Sequence, residues 1–221
     1  MTSVVVPAYN EAPRVGATVA AILTIPEVGE ILVVDDGSVD DTAEQADAAG
    51  ATVLRLPNNL GKAGALAIGV PATRGAIVMM LDADLGGSAA GAGLLLGPVA
   101  SGEADMAIAT FPANSGRRGG FGLVVALARW GIRRATGRAM VAPLSGQRAF
   151  IREVWDRAGG RATGFGVETA FTIDALRAGF RVVEVPTTMS HRATGRDLTG
   201  FRHRARQLAA VARALAPRLR R

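Results

Sequence analysis

An α/β fold with a mostly parallel central sheet flanked by helices is what this chain predicts, and three observations carry the prediction. Short runs of Val, Ile and Leu alternate with Ala-rich stretches of helical length through the first half. Pro and Gly stand where those helices start and stop. Acidic loops follow the apolar runs, at what would be the carboxyl ends of parallel strands, where such sheets bind ligands.

Residues 3–6 are a short apolar strand ending at Pro7, and Pro13 opens a helix to about Leu23. A strand over 30–34 leads into the loop Asp35-Asp36-Gly37-Ser38, then a helix over 41–49 stopped by Gly50. Residues 52–56 form a third strand, and Asn58-Asn59-Leu60-Gly61 caps a helix from Lys62 to about Ile68, ended by Gly69 and Pro71. A fourth strand covers 76–81. Strands separated by single helices imply right-handed crossovers and parallel pairing. The loops at 7–11, 35–38 and 82–84 then share one cleft. Further on lie an amphipathic stretch at 121–136, a last strand at 181–185 followed by Pro186, and a basic helix at 199–221. The domain reading is one unit over 1–198, with halves at 1–110 and 111–198, plus that helix.

With 49% hydrophobic residues in 221, the chain can build one sizeable core. It has no cysteine, which excludes disulfides and thiolate metal centres. The net charge is +6, and Lys62 is the sole lysine, so the positive charge is nearly all arginine, denser toward the C-terminus. Such a balance points to phosphorylated ligands, anionic lipid or nucleic acid. The few aromatics are not interleaved with the basic clusters, which argues against a nucleic-acid platform. No basic leader precedes the first strand and no apolar run is long enough to cross a bilayer, so the expected location is cytoplasmic, including the inner face of the membrane.

The chemistry-bearing feature is Leu81-Asp82-Ala83-Asp84-Leu85. Strand side chains alternate, so both carboxylates leave the sheet on the same side. There they can grip a hard divalent cation that carries a diphosphate. A solvated turn or helix cap is the plain alternative, for these residues as for Asp35-Asp36, but two acidic pairs after two parallel-type strands favour a ligand site.

Pro7-Ala-Tyr-Asn-Glu11, Val34-Asp-Asp-Gly-Ser38, Asn59-Leu-Gly-Lys-Ala63 and Asp82-Ala-Asp84, in this order, resemble the signature of family 2 glycosyltransferases with the GT-A fold. The nearest subgroup is the polyprenyl-phosphate (dolichol-phosphate) mannosyl- and glucosyltransferases. The resemblance spans about residues 3–190 and implies an inverting, metal-dependent hexosyl transfer from UDP- or GDP-hexose. Pro7, Tyr9 and Glu11 would hold the nucleoside, and Asp36 would accept from the base. Lys62 would face diphosphate or base. It is not a Walker lysine, because Ala63 stands where Ser or Thr is needed. Asp84 would ligate Mg2+ or Mn2+, and Asp82 would reach the ribose or the metal.

By the same resemblance, Ser145-Gly-Gln-Arg-Ala-Phe150 belongs to the acceptor side, with Gln147 in a variable place and Arg148 offering a fork for acceptor phosphate. Glu168 would be either a base or an orienting group. A phosphate acceptor is already anionic at neutral pH and needs no base. His191 and Arg192, with Arg196, would lie against the diphosphate. The chain departs from the subgroup at Gly86-Gly87-Ser88, at Val141-Ala-Pro-Leu144 and at Thr169. The expected acceptor is polyprenyl phosphate. A soluble acceptor, a sugar-phosphate nucleotidyltransferase and an arginine-rich surface module remain as alternatives, and the resemblance admits a homodimer.

Overall fold

The computed structural model of the chain describes residues 1–111, 122–160, 166–190 and 198–219, with the side chains of the last helix described from residue 207. Strands β1 (Thr2–Ala8), β2 (Val28–Asp35), β3 (Thr52–Arg55) and β4 (Ile77–Met80) alternate with helices α1 (Ala12–Ile22), α2 (Thr42–Ala48) and α3 (Gly61–Ala72). A 3₁₀ segment, Gly86–Leu95, and α4 (Leu96–Ala100) follow. Then come β5 (Met106–Thr110), α5 (Gly122–Thr136), β6 (Arg148–Ile151), α6 (Arg152–Ala158), α7 (Val167–Arg177), β7 (Val182–Pro186) and α8 (Leu198–Leu219). The seven strands form one sheet in the order β3-β2-β1-β4-β6-β5-β7. All neighbours pair parallel except β6, which runs antiparallel to β4 and β5.

Each face of the sheet carries its own apolar layer. Val4, Val6, Val33 and Met79 meet α1 and the 3₁₀ segment on one side. Val5, Val34, Val78, Met80 and Phe150 meet Leu66, Ile132, Phe171 and Leu215 on the other. Burial on both faces explains why the parallel strands read as continuous apolar runs.

Strand β1 continues through Pro7 instead of ending there. Val5 turns its carbonyl to Leu81, and Ala8 turns its carbonyl to Asp36. Alternation therefore aims the Pro7 nitrogen at the β4 side, past the last residue of that strand, where no ladder bond is lost. Helix α3 likewise runs past Gly69 and Pro71 to Ala72. Gly69 is a close-approach glycine: a Cβ there would sit 2.6 Å from Val34 and 2.8 Å from Val5. Pro71 falls in the last turn, where Arg152 donates to Val70 O at 3.2 Å and, just past the helix, to Gly75 O at 2.9 Å.

Helix α8 packs on α5 and α7, burying Val211 and Leu215. Its apolar face is thus largely used within the fold.

Candidate active site

The loops after β1 and β2 are stapled together. Ser38 Oγ accepts from Asn10 N at 2.9 Å, Asn10 Oδ1 accepts from Val39 N at 3.0 Å, and Thr42 Oγ1 accepts from Glu11 N at 2.8 Å. Asn10 adopts a positive φ of 54°, which aspartate and asparagine tolerate best among non-glycine residues. Tyr9 is 46% exposed at this rim, free to lie against a ligand, and Pro7 and Glu11 flank it. Asp35 Oδ1 accepts from Ser38 N at 3.0 Å and tightens the second loop.

Asp36 is buried, and its two oxygens accept from Leu60 N at 2.7 Å and Gly61 N at 2.8 Å. It therefore caps the start of α3 from across the cleft, using the carboxylate where the helix dipole favours one. It is a structural tie between the β2 loop and α3.

That tie sets the position of Lys62. Its ammonium donates to Asp82 Oδ1 at 2.6 Å and lies 3.0 Å from Glu168 Oε1, in the first turn of α7. Burial opposes its charge, and the two carboxylates more than offset that, so its pKa lies above the ordinary lysine value. A cation at a helix N-terminus is unfavourable by itself; here the two carboxylates account for it. Gly146 backs the cluster, and a Cβ there would be 2.3 Å from Lys62 Nζ.

Asp82 and Asp84 differ in their surroundings. Asp82 Oδ1 accepts from Lys62, and Asp82 Oδ2 accepts from Gln147 Nε2 at 2.7 Å. Both oxygens are thus engaged within the protein, and Asp82 ties the turn after β4 to α3 and to the approach of β6. Asp84 is partly exposed on the turn after β4, with Arg14 of α1 donating to its carbonyl at 3.4 Å. Among the described residues no group of three acidic or histidine side chains could hold a metal alone. One partly exposed carboxylate fits Mg2+ or Mn2+ held jointly with diphosphate oxygens, which is how such ions commonly bind.

Arg148 does not reach the surface. It is fully buried, with Nε donating to Ser145 O and Nη1 to Thr172 Oγ1, both at 2.9 Å, and with its guanidinium over the Phe171 ring at 5.8 Å. Burial lowers its pKa to about 10. It belongs to the core beneath the cleft and does not present a fork to an acceptor. Its neighbours on β6 point alternately into the two apolar layers, and position 148 faces inward with Phe150. His191, Arg192 and Arg196 lie outside the described residues.

Two residues escaped the sequence reading. Gln147 is buried and grips Asp82 through both backbone and side chain, and Thr18 is buried against the Asp82–Asp84 turn. The available signal was a polar residue at an apolar position: Thr18 stands in the stripe Val15, Thr18, Val19, Ile22.

A seven-stranded α/β sheet with a paired acidic turn and stapled loops at one edge is a GT-A-like transferase fold. The chain belongs to glycosyl transferase family 2, whose model matches residues 3–155. It is 31% identical over 198 residues to the glucosyl-3-phosphoglycerate synthase of Mycolicibacterium paratuberculosis, an alignment covering 79% of this chain and 59% of that protein. It thus spans about three fifths of that relative's length. The crystal structure of glucosyl-3-phosphoglycerate synthase from Mycobacterium tuberculosis with Mn2+, UDP and phosphoglyceric acid matches with a TM-score of 0.82 at 29% identity, covering 99% of this chain and 78% of that one. A shorter match, 37% identical over 98 residues and 37% of this chain, is to the dolichyl-phosphate beta-glucosyltransferase of Dictyostelium discoideum, over 30% of that protein.

Proposed function

We propose that this chain transfers a hexose from a nucleotide-sugar to a phosphorylated acceptor, with Mg2+ or Mn2+ held by Asp84 and the donor diphosphate. The observation that carries the reading is the place of the Asp84 turn. It stands at the carboxyl end of β4, beside the stapled β1 and β2 loops, in a chain matched over 99% of its length by a synthase that holds Mn2+ and UDP. Pro7, Tyr9 and Glu11 form the rim against which a nucleoside would lie. Lys62, held by Asp82 and Glu168, presents one positive charge at the cleft floor near the donor. Bound at Asp84, the cation would offset charge on the departing nucleoside diphosphate. Glu168 is ion-paired to Lys62, which favours an orienting role over proton abstraction.

A small soluble phosphorylated acceptor is the better-supported choice. The relative whose name carries such an acceptor aligns with 79% of this chain, against 37% for the dolichyl-phosphate enzyme. No described helix is long and apolar enough to cross a membrane. One observation favours the polyprenyl-phosphate alternative: α5 leaves Leu123 77% and Trp130 55% exposed beside Arg129, Arg133 and Arg134. The test is a panel of labelled UDP- and GDP-hexoses with Mn2+, offered 3-phosphoglycerate or short-chain polyprenyl phosphate. Label appearing in a water-soluble phosphorylated product supports the first choice, and label in lipid supports the second. The product anomer, expected inverted for attack opposite the diphosphate, is read from the same sample. No transfer or donor hydrolysis with any nucleotide-sugar overturns the proposal.

A further inference from the structure

The turn bearing Asp82 and Asp84 is gripped by buried side chains from two separate elements. On α1, the Thr18 hydroxyl donates to Ala83 O at 2.7 Å and accepts from Gly86 N at 2.8 Å. On the approach to β6, the Gln147 amide accepts from Asp82 N at 3.0 Å and donates to Asp82 Oδ2 at 2.7 Å. Both residues are fully buried. An aliphatic residue would serve the α1 core stripe better at position 18, and a buried amide is unfavourable unless its polar groups are matched. Both side chains match the same short turn, and α1 and β6 otherwise belong to opposite halves of the chain.

We propose that Thr18 and Gln147 are positioning residues that fix this turn, keeping Asp82 on Lys62 and presenting Asp84 to the cation of the donor diphosphate. The inference rests on the function proposed above. Residues 82, 83 and 86 are each tied by one clamp or the other, so Asp84 projects from a backbone held on both sides of it. A cation bound through a single protein carboxylate has few other constraints, so its affinity depends on how firmly that carboxylate is presented. Thr18 and Gln147 touch neither substrate nor metal; they act through the turn.

The test measures UDP affinity with and without Mn2+ by titration calorimetry in T18V, T18S and Q147M, with thermal unfolding alongside. T18V keeps the volume and loses the hydroxyl, T18S keeps the hydroxyl, and Q147M keeps the length and loses the amide. The Mn2+ enhancement of UDP affinity is expected to fall by about tenfold in T18V and Q147M, one strong hydrogen bond's worth. T18S should restore it to within about twofold, while Mn2+-free affinity stays nearly constant in all three. Enhancement retained in T18V or Q147M, a parallel loss of Mn2+-free affinity, or failure of T18S to restore it overturns the proposal. The T18V and T18S pair decides alone should Q147M not fold. A wild-type chain whose UDP affinity ignores Mn2+ would instead overturn the functional reading beneath it.

Discussion

Replacing Lys62 with methionine removes the one cation between two carboxylates and keeps most of the apolar stem. Asp82 and Glu168 then face each other across the space left by the ammonium, which stood 2.6 Å from one and 3.0 Å from the other. Breaking an exposed pair typically costs under ~1 kcal/mol and breaking a buried pair ~3–5 kcal/mol. The side chains here retain 31%, 26% and 10% of their surface, so the triad falls between those limits, at about 2–3 kcal/mol. In a chain of this size that lowers Tm by roughly 5–10 °C. The sign of the pH dependence follows from the raised pKa of Lys62. A group whose folded pKa exceeds its unfolded value stabilises fully below the unfolded pKa and loses that contribution as pH rises through the folded one. The usual lysine value is 10.5, so the Tm difference between wild type and K62M should be flat from about pH 6 to 9 and narrow only in stronger alkali. Thermal unfolding in low salt gives both numbers. A double-mutant cycle with E168Q should show a coupling of about 1 kcal/mol, because neutralising Glu168 relieves the repulsion that K62M creates. A drop under about 2 °C with additive effects would refute the triad as a structural unit.

Other substitutions report on other contacts. G146A forces a Cβ to 2.3 Å from Lys62 Nζ, so the side chain must move; overpacking of this kind costs ~1–3 kcal/mol and should appear as a Tm lower by about 3–10 °C together with weaker UDP binding by calorimetry. D36N leaves one acceptor oxygen where two amides of the α3 start need acceptors; a stability loss of about 1–2 kcal/mol by denaturant titration is expected, with the preference between UDP and GDP unchanged. A reversed base preference would return Asp36 to the nucleoside. R148M removes a buried guanidinium that makes no salt bridge among the described residues, so the acceptor concentration giving half-maximal transfer should change by less than about twofold. A large rise with turnover intact would put that guanidinium on the acceptor.

The first half of the chain was legible because β1, β2 and β4 are largely buried on both faces and therefore show as apolar runs, and the acidic residues in the turns after β2 and β4 stand out. The Asp82–Asp84 turn and the neighbouring loops were read from those signals alone. Pro7 and Pro71 misled by one local rule each. The first sits where β1 outruns β4, and the second sits in a final turn capped by Arg152, a residue far away in sequence. The second half was less legible because β6 is short, antiparallel and begins with a buried arginine, a residue type that ordinarily signals surface. The surroundings of Asp36, Asp82 and Arg148 were illegible for a common reason. A carboxylate or guanidinium declares its charge in sequence, while the partner that neutralises or buries it comes from a distant element. Lys62 at the start of α3 met Glu168 in the first turn of α7 only through the tertiary fold, which no local pattern encodes.

The central claim is that Asp84 joins a divalent cation to a nucleoside diphosphate. Calorimetric titration of UDP into the wild-type chain and into D84A, each with and without Mn2+, tests it most directly. The account predicts that Mn2+ tightens UDP binding by about tenfold or more in the wild type and has no effect in D84A, while the fold of D84A persists. Equal Mn2+ enhancement in both chains, or UDP binding in neither, would contradict it.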